Sequence, residues 1–379
     1  MSSWRSLVHG AGVFLIVSAM LLTHKIEGQD TVSGPWVMQS SGSTASFRGI
    51  HAVGGGVAWA SGTDGTVLRT EDSGYMWQSC AMPPGAEKLD FRGIWAWDAD
   101  TAVVMSSGQG DLSRIYKTTD GCSHWTLLYT NPDRDGFWDA IVFQSRQKGF
   151  LLGDPVNGRF VLLNTQDGGK TWAQSEASGL ESGAAKGAFA ASNSSLLAGV
   201  REPMMFGTGG SFVYVESGTG RISFPGKPGA GVALTGKWTR HPVAVANQGD
   251  AAGIFSLAYQ CDGSGDRSTI LAVGGDYQKP DESSGTAAWS SDGGEHWTTA
   301  EKPPHGYRSA VAWDAENKAW IAVGPNGSDI SDDGGRNWSP LDNGNWNALS
   351  LPWVVGPKGR IAKLDQGRLK RTEKPDSQP

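Results

Sequence analysis

Short apolar runs alternate with glycine-rich polar stretches along most of the chain, and no long amphipathic helical pattern is evident. Turn-like stretches such as "SGTDGT" at 61–66 and "GPNGS" at 324–328 separate the runs. Composition agrees, since the 379 residues include 54 Gly and 17 Trp while only 18% are charged. This combination is typical of many short strands joined by tight turns. We therefore expect an all-β protein.

An eight-residue pattern of the form Ser/Thr-x-Asp-x-Gly-x-x-Trp, here called the octet, recurs along the chain. Its copies are "TEDSGYMW" at 70–77, "TTDGCSHW" at 118–125, "TQDGGKTW" at 165–172, "SSDGGEHW" at 290–297 and "SDDGGRNW" at 331–338. In the second copy the glycine comes one place early, and Cys122 stands in its usual position. Neighbouring copies lie roughly 40 to 50 residues apart, as propeller blades do, except for one longer gap.

A second repeated element precedes the octets. It reads "FRGI" at 47–50, "FRGI" at 91–94, "FWDA" at 137–140 and "YRSA" at 307–310, with weaker relatives "IFSL" at 254–257 and "WNAL" at 346–349. Inside the long gap, "AFAASNSSLLAG" at 188–199 and "GSFVYVES" at 210–217 resemble strands of one more unit. The count predicts a seven-bladed β-propeller. The last unit stops after "GRIAKL", so "WVMQSSG" at 36–42 is expected to supply its outer strand and close the ring.

The octet predicts a structural turn rather than a binding site. Its aspartate can accept hydrogen bonds from turn amides, its small residues permit positive φ, and its tryptophan can pack between strands. Copies spread around a ring cannot all line one site. The structural residues are Asp72, Asp120, Asp167, Asp292 and Asp333, with Trp77, Trp125, Trp172, Trp297 and Trp338.

The octet is identified as the Asp-box, and the chain resembles the Asp-box (BNR) repeat propellers. Within them it is similar to bacterial relatives of the photosystem II assembly and stability factor, through stretches such as "EKLDFRGI" at 87–94, "GDPVNGRF" at 153–160 and "PPHGYRSAV" at 303–311. The resemblance runs from about residue 36 to residue 364. It implies a seven-bladed propeller and, more loosely, a binding or assembly scaffold, because sialidases and sortilin-like receptors also carry the box.

Three repeats place an arginine at the same position of this element, as Arg48, Arg92 and Arg308. If this element opens the innermost strand of each blade, the guanidinium groups meet at the channel mouth and can bind an anion or an acidic partner segment. The site is predicted to include Asp154, Asp276 and His305, which lie in or beside long loops. Alternatively, each arginine forms a salt bridge to a neighbouring blade through Asp90, Asp139, Asp154 or Asp276.

An enzyme is the main alternative to a scaffold. Sialidases use an arginine triad together with a tyrosine nucleophile and acidic groups. This chain offers Tyr307 beside Arg308, but "FRGI" lacks the proline of the similar sialidase stretch and occurs twice. Serine-hydrolase, zinc-protease and dinucleotide motifs are absent from the sequence, so we expect no catalytic residue, metal or cofactor. A calcium loop at 262–268 is a weaker alternative to a plain hairpin there.

The remaining features concern export and partners. Residues 1–28 read as a signal peptide, because Arg5 precedes an apolar run at 11–22 that is short for a membrane span; an uncleaved anchor is the alternative. The propeller is expected over 29–368 and a flexible tail over 369–379. Cys80 and Cys122 either form a disulfide or remain buried thiols. The net charge of −6 argues against nucleic acid. We expect an exported, periplasmic or secreted monomer with a protein partner or anionic ligand, which can bring it near a membrane.

Overall fold

The computed structural model describes residues 34–199, 203–217, 236–246, 248–260 and 269–372. Within these ranges, seven four-stranded antiparallel sheets form the blades of a propeller. The strands of one blade follow one another in sequence from the innermost to the outermost, except in the blade that closes the ring. The predicted seven-bladed all-β fold is therefore confirmed.

The blades have regular strand order. Blade 1 contains β2 (Phe47–Gly54), β3 (Val57–Gly62), β4 (Val67–Thr70) and β5 (Gln78–Ser79). Blade 2 contains β6 (Phe91–Ala96), β7 (Ala102–Ser106), β8 (Arg114–Thr118) and β9 (Thr126–Thr130). Blade 3 contains β10 (Trp138–Phe143), β11 (Gly149–Val156), β12 (Arg159–Thr165) and β13 (Ala173–Gln174).

The second half of the ring follows the same order. Blade 4 contains β14 (Leu196–Leu197), β15 (Met205–Gly207), β16 (Phe212–Ser217) and β17 (Lys237–Pro242). Blade 5 contains β18 (Ala252–Tyr259), β19 (Ile270–Asp276), β20 (Ala287–Ser290) and β21 (Thr298–Thr299). Blade 6 contains β22 (Ala310–Asp314), β23 (Ala319–Gly324), β24 (Gly327–Ser331) and β25 (Ser339–Asp342). Blade 7 contains β26 (Ala348–Ser350), β27 (Trp353–Val355), β28 (Ile361–Leu364) and β1 (Trp36–Gln39).

Blade 7 joins the two ends of the ring. Strand β1 pairs antiparallel with β28, with Trp36 opposite Leu364 and Gln39 opposite Ile361. Trp36 is buried in a cluster with Trp346 and Leu364. The early segment thus supplies the outer strand, as predicted, and the sheet edge that the last unit would expose is paired.

Blade 4 is the irregular unit in the long gap between octets. Its strands include 196–197 and 212–217, which confirms the predicted extra blade. Its innermost strand β14 has only two residues. The residues before it, 188–195, are here called the crossing segment, because they leave the blade and reach other blades across the channel.

The octets form one recurring turn between the third and fourth strands of their blades. In each, the aspartate accepts a hydrogen bond from the backbone N–H four residues later. The hydroxyl of the Ser or Thr that opens the octet, two residues before the aspartate, donates to the same carboxylate oxygen. The N–H to Oδ1 distances are 2.9 Å (Met76 to Asp72), 3.0 Å (His124 to Asp120), 2.9 Å (Thr171 to Asp167), 3.0 Å (His296 to Asp292) and 2.9 Å (Asn337 to Asp333). Such bonds favour the ionised carboxylate.

The octet tryptophans pack into the blades. Trp172, Trp297 and Trp338 each donate Nε1–H to the carbonyl of the glycine three residues earlier. Trp77 instead donates to Gln39 of the closing strand at 2.9 Å, and Trp125 packs at right angles to Trp59. Because the chain traverses a blade three times before reaching the octet, every octet lies on the face opposite to the one where the innermost strands begin.

A disulfide joins Cys80 to Cys122, with Cα atoms 5.2 Å apart. Cys80 follows the outermost strand of blade 1, and Cys122 lies in the octet of blade 2. Cys122 adopts φ of 63°, the conformation for which the other octets use glycine. Of the two expected states of these cysteines, the structure contains the bridge, which fastens neighbouring blades together.

Helix α1 (Gln366–Thr372) follows the last strand. It extends into the segment predicted as a flexible tail from 369, because Leu369 is buried against the blade 7 cluster. The predicted signal peptide at 1–28, the loop at 262–268 and the end of the tail lie outside the described residues. Among the residues that the structure describes, no helix is both long and apolar enough to span a bilayer.

Candidate binding site at the channel mouth

The innermost strands of all blades except blade 4 share a local pattern where they begin. A fully buried residue, which we call the core position, is followed by a residue whose side chain faces the channel, which we call the mouth position. In blades 1, 2, 3 and 5 the strand register shifts at the mouth residue, and such bulges redirect side chains. The core positions are Phe47, Phe91, Trp138, Ile254, Arg308 and Trp346. The mouth positions are Arg48, Arg92, Asp139, Phe255, Ser309 and Asn347.

The mouth residues surround one cavity of about 490 Å³. Passing around the ring, blades 1 and 2 contribute arginines, blade 3 contributes aspartates, and blades 4 to 6 contribute aromatic rings. Asp154, Phe189, Tyr277 and Tyr307 join the mouth residues in its lining. The cavity therefore has a basic, an acidic and an aromatic sector. Its size is ordinary for a small-molecule or peptide-anchor site.

The crossing segment closes the inner end of this cavity. Asn193 donates from Nδ2 to the carbonyl of Ile141 at 3.0 Å, and its Oδ1 accepts the Ile141 N–H at 2.8 Å. Asn193 also reaches the carbonyl of Ile94, while Ser192 donates to the carbonyl of Ser309 at 2.7 Å. The segment thus contacts innermost strands on opposite sides of the channel, and the cavity opens mainly toward the mouth.

Arg48 is the unpaired cation of the site. Its Nε is buried without a hydrogen-bond partner. Among the residues that the structure describes, none accepts a hydrogen bond from its guanidinium or forms an ion pair with it. Burial, together with the nearby charge of Arg92, lowers the pKa of Arg48. Because an unpaired buried charge is costly, an anionic ligand here would gain a strong interaction.

Arg92 is partly neutralised within its own blade. Its Nε lies 2.7 Å from Oδ2 of Asp90, and Nη1 donates to the carbonyl of Ala190 in the crossing segment at 3.3 Å. Asp90 was among the partners expected if the arginines were structural. Arg92 therefore combines both predicted roles, since it is held by Asp90 and still lines the cavity.

Arg308 does not belong to the cavity, and the prediction that three arginines converge there is wrong. Its side chain is fully buried, with Nε and Nη2 at 2.6 Å and 2.5 Å from Oδ2 of Asp329. Nη1 donates to the carbonyl of Tyr307 and to Oδ1 of Asn326, both at 2.7 Å. Arg308 thus forms a structural ion pair with Asp329, which is not among the aspartates predicted as its partners.

The error comes from a one-residue offset between repeats. The pairing of Ala310 with Val323 in blade 6 corresponds to the pairing of Gly49 in blade 1, so Arg308 takes the core position and Ser309 the mouth position. A one-residue shift in a strand moves a side chain to the other face.

The same offset in "FWDA" hides Asp139, which follows the core residue Trp138 and faces the cavity. From the sequence, Asp139 is predicted only as a salt-bridge partner. Aligning the repeats on the small residue after the mouth position would have found it.

Two carboxyl groups form the acidic sector. Asp139 is 1% exposed, and its Oδ2 has no hydrogen-bond partner. Burial and the neighbouring Asp154 raise the pKa of Asp139 well above its usual value. Burial also raises the pKa of Asp154, although its Oδ1 accepts the N–H of Ala188 at 2.9 Å. Of the two aspartates predicted for the site, Asp154 and Asp276, Asp154 lines this cavity.

Asp276 and His305 lie outside the cavity lining. Asp276 is 3.6 Å from Lys279 in the adjoining loop and borders a separate small cavity. His305 lies 2.7 Å through Nδ1 from Asp329, and this hydrogen bond raises the pKa of His305. His305 therefore supports the structural ion pair of Arg308 rather than the mouth.

Aromatic side chains make the third sector. Phe189 of the crossing segment stacks on Phe255, with ring centroids 3.7 Å apart. Tyr307 packs edge-on against Phe255 at 4.7 Å, and Tyr277 lies 6.1 Å away at the rim, half-exposed. Burial raises the pKa of Tyr307, so its hydroxyl is poorly suited to act as a nucleophile. These rings offer an apolar wall to a ligand.

One further group of metal-ligand types lies in an octet. Ligand atoms of Asp292, Glu295 and His296 are all within 4.8 Å of one another. The group is largely exposed, and Asp292 already accepts bonds that form the octet turn. We assign no metal to it.

Comparisons with known proteins identify the fold. No family model matches the chain, and no curated protein matches it. YCF48 bound to D1 peptide matches with a TM-score of 0.56 and 15% identity, covering 87% of this chain and 94% of that one. YCF48 from Cyanidioschyzon merolae gives 0.54 and 16%, with 87% and 98% covered.

A GH74 xyloglucanase from Xanthomonas campestris has a TM-score of 0.50 and 16% identity, covering 88% of this chain and 54% of the enzyme. This chain therefore spans about half of that enzyme. At these identities the likeness establishes the propeller fold alone.

Proposed function

We propose that this chain is an exported, non-catalytic binding propeller that holds an anionic group of a protein partner at its channel mouth. The observation that carries the proposal is the unpaired guanidinium of Arg48 in an open cavity. Arg92 adds positive charge beside it, while its bond to Asp90 fixes its position. Charge-assisted bonds to a carboxylate or phosphate are among the stronger polar contacts in proteins.

Export is part of the proposal and rests on two features. The apolar run near the start of the sequence has the length and flank of a signal peptide. The Cys80–Cys122 bridge fits an oxidising compartment, because disulfides are rare in reducing ones. We place the protein in the periplasm or outside the cell.

The type of partner is inferred from fold relatives. YCF48, which has a similar fold, is known in a complex with D1 peptide. The octets, and the stretches that resemble those of relatives of the photosystem II assembly and stability factor, support the same general role here. We therefore propose a protein segment as the natural ligand, in an assembly or binding function, with the octets serving only the fold.

Glycoside hydrolysis is the second candidate, and the acidic sector favours it. Asp139 and Asp154 face one cavity, as paired carboxyl groups do in glycosidases, and a GH74 enzyme shares the fold. Sialidase-type chemistry has less support, because Arg308 is absent from the cavity lining and Tyr307 is poorly activated. Release of reducing sugar from xyloglucan or sialosides, lost in Asp154→Asn, would establish this alternative.

The test of partner binding is affinity purification of the tagged, exported protein from its native envelope fraction. Arg48→Met removes the unpaired cation, while Arg146→Met removes one exposed arginine from the opposite face as a matched control. We expect a partner retained by the wild type and by Arg146→Met but lost from Arg48→Met. Equal retention by all three proteins would contradict binding through the mouth.

A further inference from the structure

An unpaired guanidinium group and an unpaired carboxyl group line the mouth cavity. Nε of Arg48 is buried without an acceptor, and Oδ2 of Asp139 is buried without a donor. Arg48 is on blade 1 and Asp139 on blade 3, with Arg92 of blade 2 between them. In the described part of the chain, neither forms an ion pair. Because buried charged side chains in folded proteins are nearly always paired, the presence of Arg48 and Asp139 in one cavity lining without an ion pair points to a missing ligand.

The third sector restricts the chemistry of that ligand further. The stacked rings of Phe189 and Phe255, with Tyr307 edge-on, form an apolar wall across the ring from the arginines. A ligand that fills the cavity therefore meets a cation, a carboxyl pair and aromatic rings at the same time. A purely acidic ligand would leave Asp139 unsatisfied.

We propose that the cavity binds a small zwitterion, namely an α-amino acid with an apolar or aromatic side chain. Its carboxylate pairs with Arg48, its ammonium group with Asp139 and Asp154, and its side chain lies against Phe189 and Phe255. This inference goes beyond the partner binding proposed above; it shares Arg48 with that proposal, but its ligand is a free small molecule and is tested by a separate measurement.

Size and electrostatics agree with this assignment. The cavity, at about 490 Å³, lies in the range of small-ligand pockets. The crossing segment closes its inner end, so a ligand enters from the mouth. Burial and Asp154 raise the pKa of Asp139. A bound ammonium group is the counter-charge that would allow this carboxyl group to ionise.

Calorimetry on the full exported chain tests the proposal without any variant. The probes are L-phenylalanine, 3-phenylpropanoate, which lacks the ammonium group, and 2-phenylethylamine, which lacks the carboxylate. We expect L-phenylalanine to bind about tenfold or more tightly than either analogue, because each loses a charge-assisted interaction. No binding of L-phenylalanine, or equal affinity for 3-phenylpropanoate, would overturn the proposal.

Two variants test which side chain contacts each charged group of the ligand. Asp139→Asn should remove the preference for L-phenylalanine over 3-phenylpropanoate, and Arg48→Met the preference over 2-phenylethylamine. Asp135→Asn, an exposed carboxylate outside this cavity, is the control and should retain both preferences. Retained preferences in Asp139→Asn and Arg48→Met would refute the assignment. Partner capture is measured separately, so the two proposals can fail independently.

Discussion

Replacing Arg308 should damage the fold, although the residue resembles Arg48 in sequence. Arg308→Met removes a buried cation that bonds Asp329 through two nitrogens and also holds Tyr307 and Asn326. Asp329 is itself 1% exposed and, among the residues that the structure describes, would keep only His305 as a hydrogen-bond partner. Breaking a buried ion pair on one side typically costs about 3–5 kcal/mol, since the other charge stays uncompensated. We expect a loss of that size in the free energy of unfolding.

Arg48→Met is the matched substitution and should leave stability nearly unchanged. Arg48 forms no ion pair within the described ranges, and burial of its charge is itself unfavourable. Its methionine variant keeps the apolar stem of the side chain. We expect a change of less than about 1 kcal/mol in either direction, as for substitutions that break no buried network.

Urea unfolding at neutral pH, followed by tryptophan fluorescence, measures both effects. The midpoints can be compared only if the unfolding free energy depends on urea concentration with the same slope in the variants as in the wild type. Adding Asp329→Asn to Arg308→Met should recover part of the loss, because no uncompensated charge then remains. If Arg48→Met were as destabilising as Arg308→Met, Arg48 would be a structural residue and not an unpaired binding group.

Three further predictions concern the octets, the acidic sector and the disulfide. Asp167→Ala should lower the free energy of unfolding by about 1–3 kcal/mol, because the Thr171 N–H loses its charged acceptor, while partner capture by the folded protein persists; selective loss of capture would contradict a structural role. Asp139→Asn should stabilise the protein at pH 7 and have no effect below about pH 3.8; a loss of stability at pH 7 would show that the carboxylate is paired. The sign follows from its raised folded-state pKa: below the ordinary value of 3.8 Asp139 is protonated in both the folded and the unfolded state, and its burial becomes unfavourable to folding as pH rises from that value through the folded-state pKa. Replacing Cys80 and Cys122 by serine should cost about 2–5 kcal/mol, and unchanged urea midpoints with and without reductant in the wild type would count against the bridge.

Repeats made the architecture predictable from sequence. Each octet carries its own hydrogen bonds, as between Thr165, Asp167 and Thr171, so the turn is specified locally. The closing strand at 36–39 could be expected because the last unit lacked an outer edge partner. The octet turn can be predicted from hydrogen bonds between residues close in sequence, and the closing strand from a count of the strands in each unit.

The site was predictable only in part, because it depends on register and on contacts distant in sequence. Arg48 and Arg92 were found because "FRGI" repeats without an offset. Arg308 was misplaced because "YRSA" is offset by one residue from "FRGI", and its partner Asp329 lies in another strand. The cavity floor depends on Asn193 contacting Ile141 and other residues across the ring, and no local pattern indicates such contacts.

Photo-crosslinking from two tyrosines shows whether the channel mouth is the face that binds the partner. p-Benzoylphenylalanine in place of Tyr277 puts the crosslinker at the cavity rim, where that side chain is 50% exposed. The same group in place of Tyr75, which is 95% exposed within an octet, puts it on the opposite face. In the native envelope fraction, we predict a partner crosslinked from position 277 and not from position 75. Crosslinking from position 75 alone would show that the partner binds the octet face and not the channel mouth.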